Sequence, residues 1–171
     1  QVEDLKKHLG PHVAGLMITN PNTIGLFEED IAEICALIHA TGGKVYMDGA
    51  NFNAIMGVAR PGDFGVDMMH LNLHKTMSTP HGGGGPGSGP ICVTEELREF
   101  LPTPQVVETD GVYSLMTPAA SIGRVRSFHD NFMVLLRAYS YVKRLGAEGI
   151  RRVAENAVIN ANYLRVLVRD H

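Results

Sequence analysis

The sequence predicts an α/β fold with a mainly parallel sheet and flanking helices, on three observations. Short apolar runs of strand length are spaced along the first half of the chain, and an amphipathic helical pattern lies between the first two of them. Polar residues capable of chemistry fall where those runs end, and at 171 residues the chain has the size of one domain with a core of its own.

Val13 to Thr19 is an apolar run closed by Asn20-Pro21-Asn22, which reads as a buried strand followed by a turn. From Glu28 to Thr41, Ile31, Ile34, Cys35 and Ile38 recur on one helical face, and Gly42-Gly43 supplies the stop. Lys44 to Met47 gives a second strand ending at Asp48, so the three elements form a βαβ-like unit in which parallel pairing is natural. Val66 to Leu73 reads as a third strand leading to His74-Lys75, and Ile91-Cys92-Val93 as a fourth before a helix over Glu95 to Leu101.

Leu101 to Phe128 carries scattered Pro, Gly and Thr with little periodicity and reads as a long irregular connection. From Asp130 the pattern is helical, and from Ile150 the positions Val153, Ala154, Ala157, Val158, Ala161, Leu164 and Val168 mark a long amphipathic helix. Gly146 and Gly149 separate the two helical stretches. The first residue, Gln1, is not Met, and the helical pattern runs to His171 without a stop signal, so a segment of a longer protein is expected.

A formal charge of −3 offers no electrostatic ground for a nucleic-acid or anionic-membrane partner. No apolar run of about 18 residues and no signal-peptide pattern is found, so a cytoplasmic protein is expected. Cys35 and Cys92 lack the spacing of a zinc site or disulfide framework, and Cys35 shares the apolar stripe of the helix. The histidines His8, His12, His39 and His171 share no ligand spacing, so no metal is expected.

Open parallel sheets bind ligands outside the carboxyl ends of their strands, where Asn20, Asp48 and Lys75 all fall. A lysine anchors an aldehyde cofactor when its amine is held in place with a lowered pKa. Pyridoxal 5'-phosphate (PLP) acts as an electron sink only while its pyridine nitrogen is protonated, which requires a nearby carboxylate, and Asp48 is the candidate. Two residues on, Ala50 has a methyl small enough to lie flat on an aromatic ring, while His74 and Thr76 flank the lysine with groups suited to a phosphate or ring hydroxyl. Taken singly, these residues have commonplace readings: a solvated lysine, a strand-end Asp in a turn, and Asn20 and Asn51 as turn formers. The run from His81 to Pro90 is dense in glycine, which allows close backbone approach, but it lacks the Gly-Lys-Ser/Thr ending of a Walker loop and leads into a strand.

The combined string DGANFNAIMGVARPGDFGVDMMHLNLHKTMSTPHGGGGPGSGP, from Asp48 to Pro90, closely resembles the cofactor-lysine region of the glycine decarboxylase P-protein family, in particular its bacterial subunit-2 form. The likeness extends less tightly to TNPNTIGLFEEDI from Thr19 and SIGRVRSFHDNF from Ser121, and so covers most of the chain. The resemblance implies the fold type I, aspartate-aminotransferase-like group of PLP enzymes. Residues 1–171 would form one segment, the second part of the large PLP-binding domain, without its N-terminal part or the small C-terminal domain. It implies that Lys75 is bonded to the cofactor, that Asp48 pairs with the pyridinium nitrogen, that Ala50 packs on the ring, and that His74 neighbours the ring or phosphate.

The implied reaction is decarboxylation of glycine with transfer of the aminomethyl group to the lipoyl arm of the H-protein. P-protein subunit 1 is the second implied partner, in a dimer of heterodimers. The glycine-rich loop and the stretch from Tyr113 to Arg126 would admit the lipoyl arm and exclude water. The alternatives are another fold type I decarboxylase or desulfurase, or, for the isolated chain, a non-catalytic assembly module.

Overall fold

The chain is described by a computed structural model covering residues 2–169; Gln1 at the start and His171 at the end of the helical pattern lie outside the described residues. Helix α1, Val2–Lys6, has acidic residues in its first turn and Lys6 in its last, complementing the helix dipole. Strand β1, Gly15–Thr19, leads through the loop at Asn20 to helix α2, Ile31–Ala40, which stops where Gly42 takes φ 83°. Strand β2 is Lys44–Gly49 and strand β3 is Met68–Leu71. A short helix, α3, follows at Leu73–Thr76, and then strand β4, Ile91–Val93.

The sheet runs β1-β2-β3-β4, with the first three strands parallel and β4 antiparallel to β3. Thr19 lies opposite Asp48, and Asp48 opposite His70. Because side chains alternate along a strand, β2 turns Val45 and Met47 toward the core and Tyr46 and Asp48 to the other face. The core packs Ile31, Cys35 and Ile38 of α2 on Val45, Met47, Val66 and Met69, each large aliphatic stabilising by about 1.5–3 kcal/mol on burial.

The third strand is shorter than the expected Val66 to Leu73. Asp67 is buried just before it, its Oδ2 accepting the Val45 N–H at 2.7 Å and contacting His39 Nε2 at 2.8 Å. Leu73 has already turned into α3, where the Lys75 and Thr76 N–H groups donate to the Asn72 carbonyl at 3.0 Å. Lys75 therefore sits on a helical turn just past the sheet rather than at a strand end.

The stretch Leu101 to Phe128 is not irregular throughout. Strands β5, Gln105–Thr109, and β6, Val112–Met116, pair as an antiparallel hairpin. Its turn is Asp110-Gly111, both with positive φ (52° and 79°), as a tight two-residue hairpin turn requires. The segment expected as a helix over Glu95 to Leu101 is a 3-10 helix, Glu95–Phe100.

Helix α4, Phe132–Val168, is broken at Gly146 (φ 63°, ψ −177°), whereas Gly149 leaves it uninterrupted. Its first part buries Val134 and Ala138 against Leu73 of α3, and its second part places Ala154 in the interior. Gly57 comes so close to Arg151 that an added Cβ would sit 3.2 Å from its backbone. Among the described residues, no helix is long and apolar enough to cross a membrane.

Candidate active site

Three parallel neighbours put their carboxyl ends on one edge of the sheet, and that edge gathers the expected residues. Asn20 directly follows β1 and is fully buried; its Oδ1 accepts the Glu28 N–H at 3.0 Å, while its Nδ2 has no partner. Asn51 ties the loops after β1 and β2 together by donating from Nδ2 to the Pro21 carbonyl at 3.0 Å. Asp48, near the end of β2, accepts the Ala50 N–H on Oδ1 at 2.8 Å, which fixes the backbone where Ala50 leaves the strand.

The same Oδ1 lies 3.4 Å from Nε2 of His70 on β3. The other ring nitrogen of His70, Nδ1, is hydrogen-bonded to the Tyr46 hydroxyl, and the two rings stack with centroids 5.8 Å apart. Burial, and then the charge of Asp48, push the Tyr46 phenol above its ordinary pKa, so it keeps its proton.

Lys75 is exposed, while the turn that carries it is anchored by buried Leu73 and Thr76. Beside it opens a cavity of about 600 Å³ lined by His74, Lys75, Ser78, Thr79, Pro80 and Arg137. Arg137 reaches in from α4 and donates from Nε to the Ser78 carbonyl at 2.6 Å. Ser78 adopts φ 56°, a conformation uncommon for residues other than glycine.

The His74 ring stands edge-on to His81 at 4.5 Å, and its buried Nδ1 has no partner. Burial, then the charges of His81 and Lys75, lower its pKa below the ordinary 6.5, so the imidazole is neutral at neutral pH. The hydroxyls of Thr76 and Thr79 are likewise buried without partners. A buried polar group left unpaired costs about 1–3 kcal/mol, so this cluster, with the unpaired Asn20 amide, suits a ligand with several polar groups. An amine for an aldehyde, a carboxylate for a pyridinium nitrogen, and amide, hydroxyl and guanidinium donors together fit PLP. The cavity brings His74 together with Lys75, while Asp48, Ala50 and Asn20 are not in its lining.

The glycine-rich loop lies against the start of α4: Asn131 Nδ2 donates to the Gly87 carbonyl at 3.1 Å, and Ser88 Oγ to Asp130 Oδ2 at 2.6 Å. A second cavity, about 630 Å³, opens there between Gly87, Ser88, Gly89 and Ile91 on one side and Leu101, Gln105, Arg126 and His129 on the other.

Sequence reasoning missed Tyr46, His70, Ser78, Thr79 and Arg137. For Tyr46 and His70 a signal existed, since Tyr46 is two residues from Asp48 on the same strand face, and His70 lies inside the string quoted for the lysine. Arg137 carries none, because only the docking of α4 on α3 brings it to the lysine.

No protein-family model matches the sequence. The chain is 61% identical, over 99% of its length, to a protein of Caldanaerobacter subterraneus subsp. tengcongensis described as a probable glycine dehydrogenase (decarboxylating) subunit 2. A Thermotoga maritima protein of the same description is 58% identical over 96% of the chain. The chain spans about a third of the length of these curated relatives, 35% in both cases. Among solved structures, that of a glycine decarboxylase (P-protein) of the glycine cleavage system in inhibitor-bound form superposes with TM-score 0.79 at 24% identity, over 93% of this chain and 38% of that one. The cysteine desulfurase CsdA of Escherichia coli superposes with TM-score 0.57 at 18% identity, over 87% of this chain and 37% of that one. These two likenesses show that the chain shares the α/β fold of those structures.

Proposed function

We propose that the chain is part of a glycine dehydrogenase (decarboxylating) subunit 2, on its 61% identity to a relative of that description, and that it holds PLP through Lys75 and serves the decarboxylation of glycine in the glycine cleavage system. The observation that supports this most is the lysine on an anchored turn past the third of three parallel strands, with a carboxylate at the end of the neighbouring one. Residues 1–171 are read as the second part of a large PLP-binding domain.

When bound, PLP would supply the electron sink that the decarboxylation of glycine needs. Lys75 would hold the cofactor, its amine being the group suited to an aldehyde. Asp48 would hold the pyridine nitrogen through its carboxylate, and Ala50 would offer its methyl to the ring. Neutral His74 would neighbour the ring or phosphate, and the unpartnered Asn20 Nδ2 would be free to donate to a polar group of the cofactor. The glycine-rich loop and the segment up to Arg126 border the approach of a lipoyl arm and keep water out. The partners in this reading are P-protein subunit 1 and the lipoylated H-protein, in a cytoplasmic dimer of heterodimers.

A second reading, an assembly module, has one observation in its favour. Val106, Tyr113, Leu115, Tyr163 and Leu164 are large apolar side chains lying open on the hairpin and on the second part of α4. Adding PLP, reducing with borohydride and mapping the peptides separates the two. We expect a visible absorbance band and a pyridoxyl group on Lys75, both absent in Lys75→Ala. Labelling spread over surface lysines, unchanged in Lys75→Ala, leaves only the module.

A further inference from the structure

The face of the sheet that carries Asp48 also carries two residues with no part in the chemistry outlined above. Alternation along β2 sets Tyr46 beside Asp48, and the parallel register sets His70 opposite Asp48 on β3. The imidazole lies between them, with Nδ1 hydrogen-bonded to the Tyr46 hydroxyl and Nε2 facing Asp48 Oδ1 at 3.4 Å. We propose that His70, oriented by Tyr46, is a positioning residue that holds the Asp48 carboxylate so that Oδ2 is presented to the cofactor's ring nitrogen. This rests on the reading of Asp48 given above.

The two nitrogens of an imidazole are not equivalent, and the partner of one decides which carries the proton. A carboxylate oxygen only accepts, so Asp48 Oδ1 beside Nε2 favours the proton there and leaves Nδ1 to accept from the Tyr46 hydroxyl, which keeps its own proton. The imidazole proton then belongs on Nε2, where it faces a carboxylate oxygen. Oδ1 is thereby occupied from two sides, by the Ala50 N–H at 2.8 Å and by His70, and Oδ2 has no partner among the described residues. A carboxylate fixed through one oxygen points the other in a set direction, as the outer partners of metal-binding carboxylates do.

The arrangement also bears on charge. A neutral imidazole donating to Asp48 leaves the anion whole, whereas an imidazolium in the same place would compete with the pyridinium for it. Apart from Asp48, Tyr46 and His70 themselves, the charged side chain on this face of β2 is Lys44, and it is engaged with Glu96 and Asp67.

Nitrogen-15 NMR of the chain without cofactor reads the imidazole directly. The expected result at neutral pH is the Nε2–H tautomer of His70, shifting toward a mixture in Tyr46→Phe; an Nδ1–H tautomer in the parent overturns the proposal. With PLP added, the pH profile of the visible band and the PLP affinity are compared in the parent, His70→Leu and His70→Gln. His70→Leu should lose the ring proton at lower pH than the parent and bind PLP about fivefold to tenfold more weakly, as expected for one lost polar contact to a charged group.

His70→Gln, whose amide can still donate to Oδ1, should restore most of both; Gln failing where Leu fails points to packing alone and overturns the proposal. If borohydride still labels Lys75 in His70→Leu and the profile does not move, His70 has no such role while the reading of the site stands. If the parent itself gives no Lys75 label, that reading fails and this proposal with it.

Discussion

Asp67 shows how one residue can hold two elements together. Its carboxylate, buried at the start of β3, accepts the Val45 N–H of β2, contacts His39 of α2, and has Lys44 Nζ 3.6 Å from its other oxygen. Burial is the largest influence and raises the pKa, but the hydrogen bonds from Val45 and His39 and the charges of His39 and Lys44 outweigh it, so the carboxyl titrates below its ordinary 3.8. A carboxyl with a depressed folded-state pKa contributes stability in full above the unfolded value, and loses it as pH falls through the folded one. Asp67→Asn is therefore expected to lower stability at pH 7 by about 1–3 kcal/mol and to flatten its loss below pH 4, read by urea denaturation at both pH values. Nothing in the local sequence marks Asp67, because its partners arrive from β2 and α2. Asp48 and Lys75 were legible because they stand at the ends of recognisable strand patterns inside a distinctive string.

Elements were legible where one face is buried. Helix α2 and strands β1 and β2 each press an apolar side on the core, and that contrast is what periodicity detects. The hairpin β5–β6 has little buried on either face, so its pattern carries no alternation, and the Asp110-Gly111 turn was its only clear mark. Strand spacing has a sharper test at Gly49. A Cβ there would stand 2.2 Å from the His70 carbonyl oxygen and 2.8 Å from Met69 Cε, so backbone has to move. Gly49→Ala should push β2 from β3 and destabilise by about 1–3 kcal/mol, with a fall in Tm. Gly111→Ala, with nothing within 4 Å of its added Cβ, should show only the left-handed strain of about 1–2 kcal/mol.

Across the whole molecule, the sheet with α2 forms one core and the α3–α4 contact a second, smaller one, with Lys75 held between them. A ligand that bonds Lys75 while reaching Asp48 and Asn20 would link both, and binding only the folded state stabilises it by mass action. Saturating PLP is expected to raise the Tm of the chain measurably, with no rise in Lys75→Ala; equal rises in both would mean binding elsewhere. The fold class was legible from strand and helix spacing, whereas the position of α4 was not, since its docking depends on shape complementarity between segments far apart in the sequence.

That distance along the chain matters while the protein is being made. The turn bearing Lys75 is anchored through Leu73 on Val134 and Ala138, which leave the ribosome well after it. Until then the three parallel strands can pair, but the lysine's turn lacks its support and the cavity lacks the wall that Arg137 provides. On the proposed reading, cofactor capture at this site is an event of late or completed synthesis, and a nascent chain stalled before α4 would expose the lysine without a pocket around it.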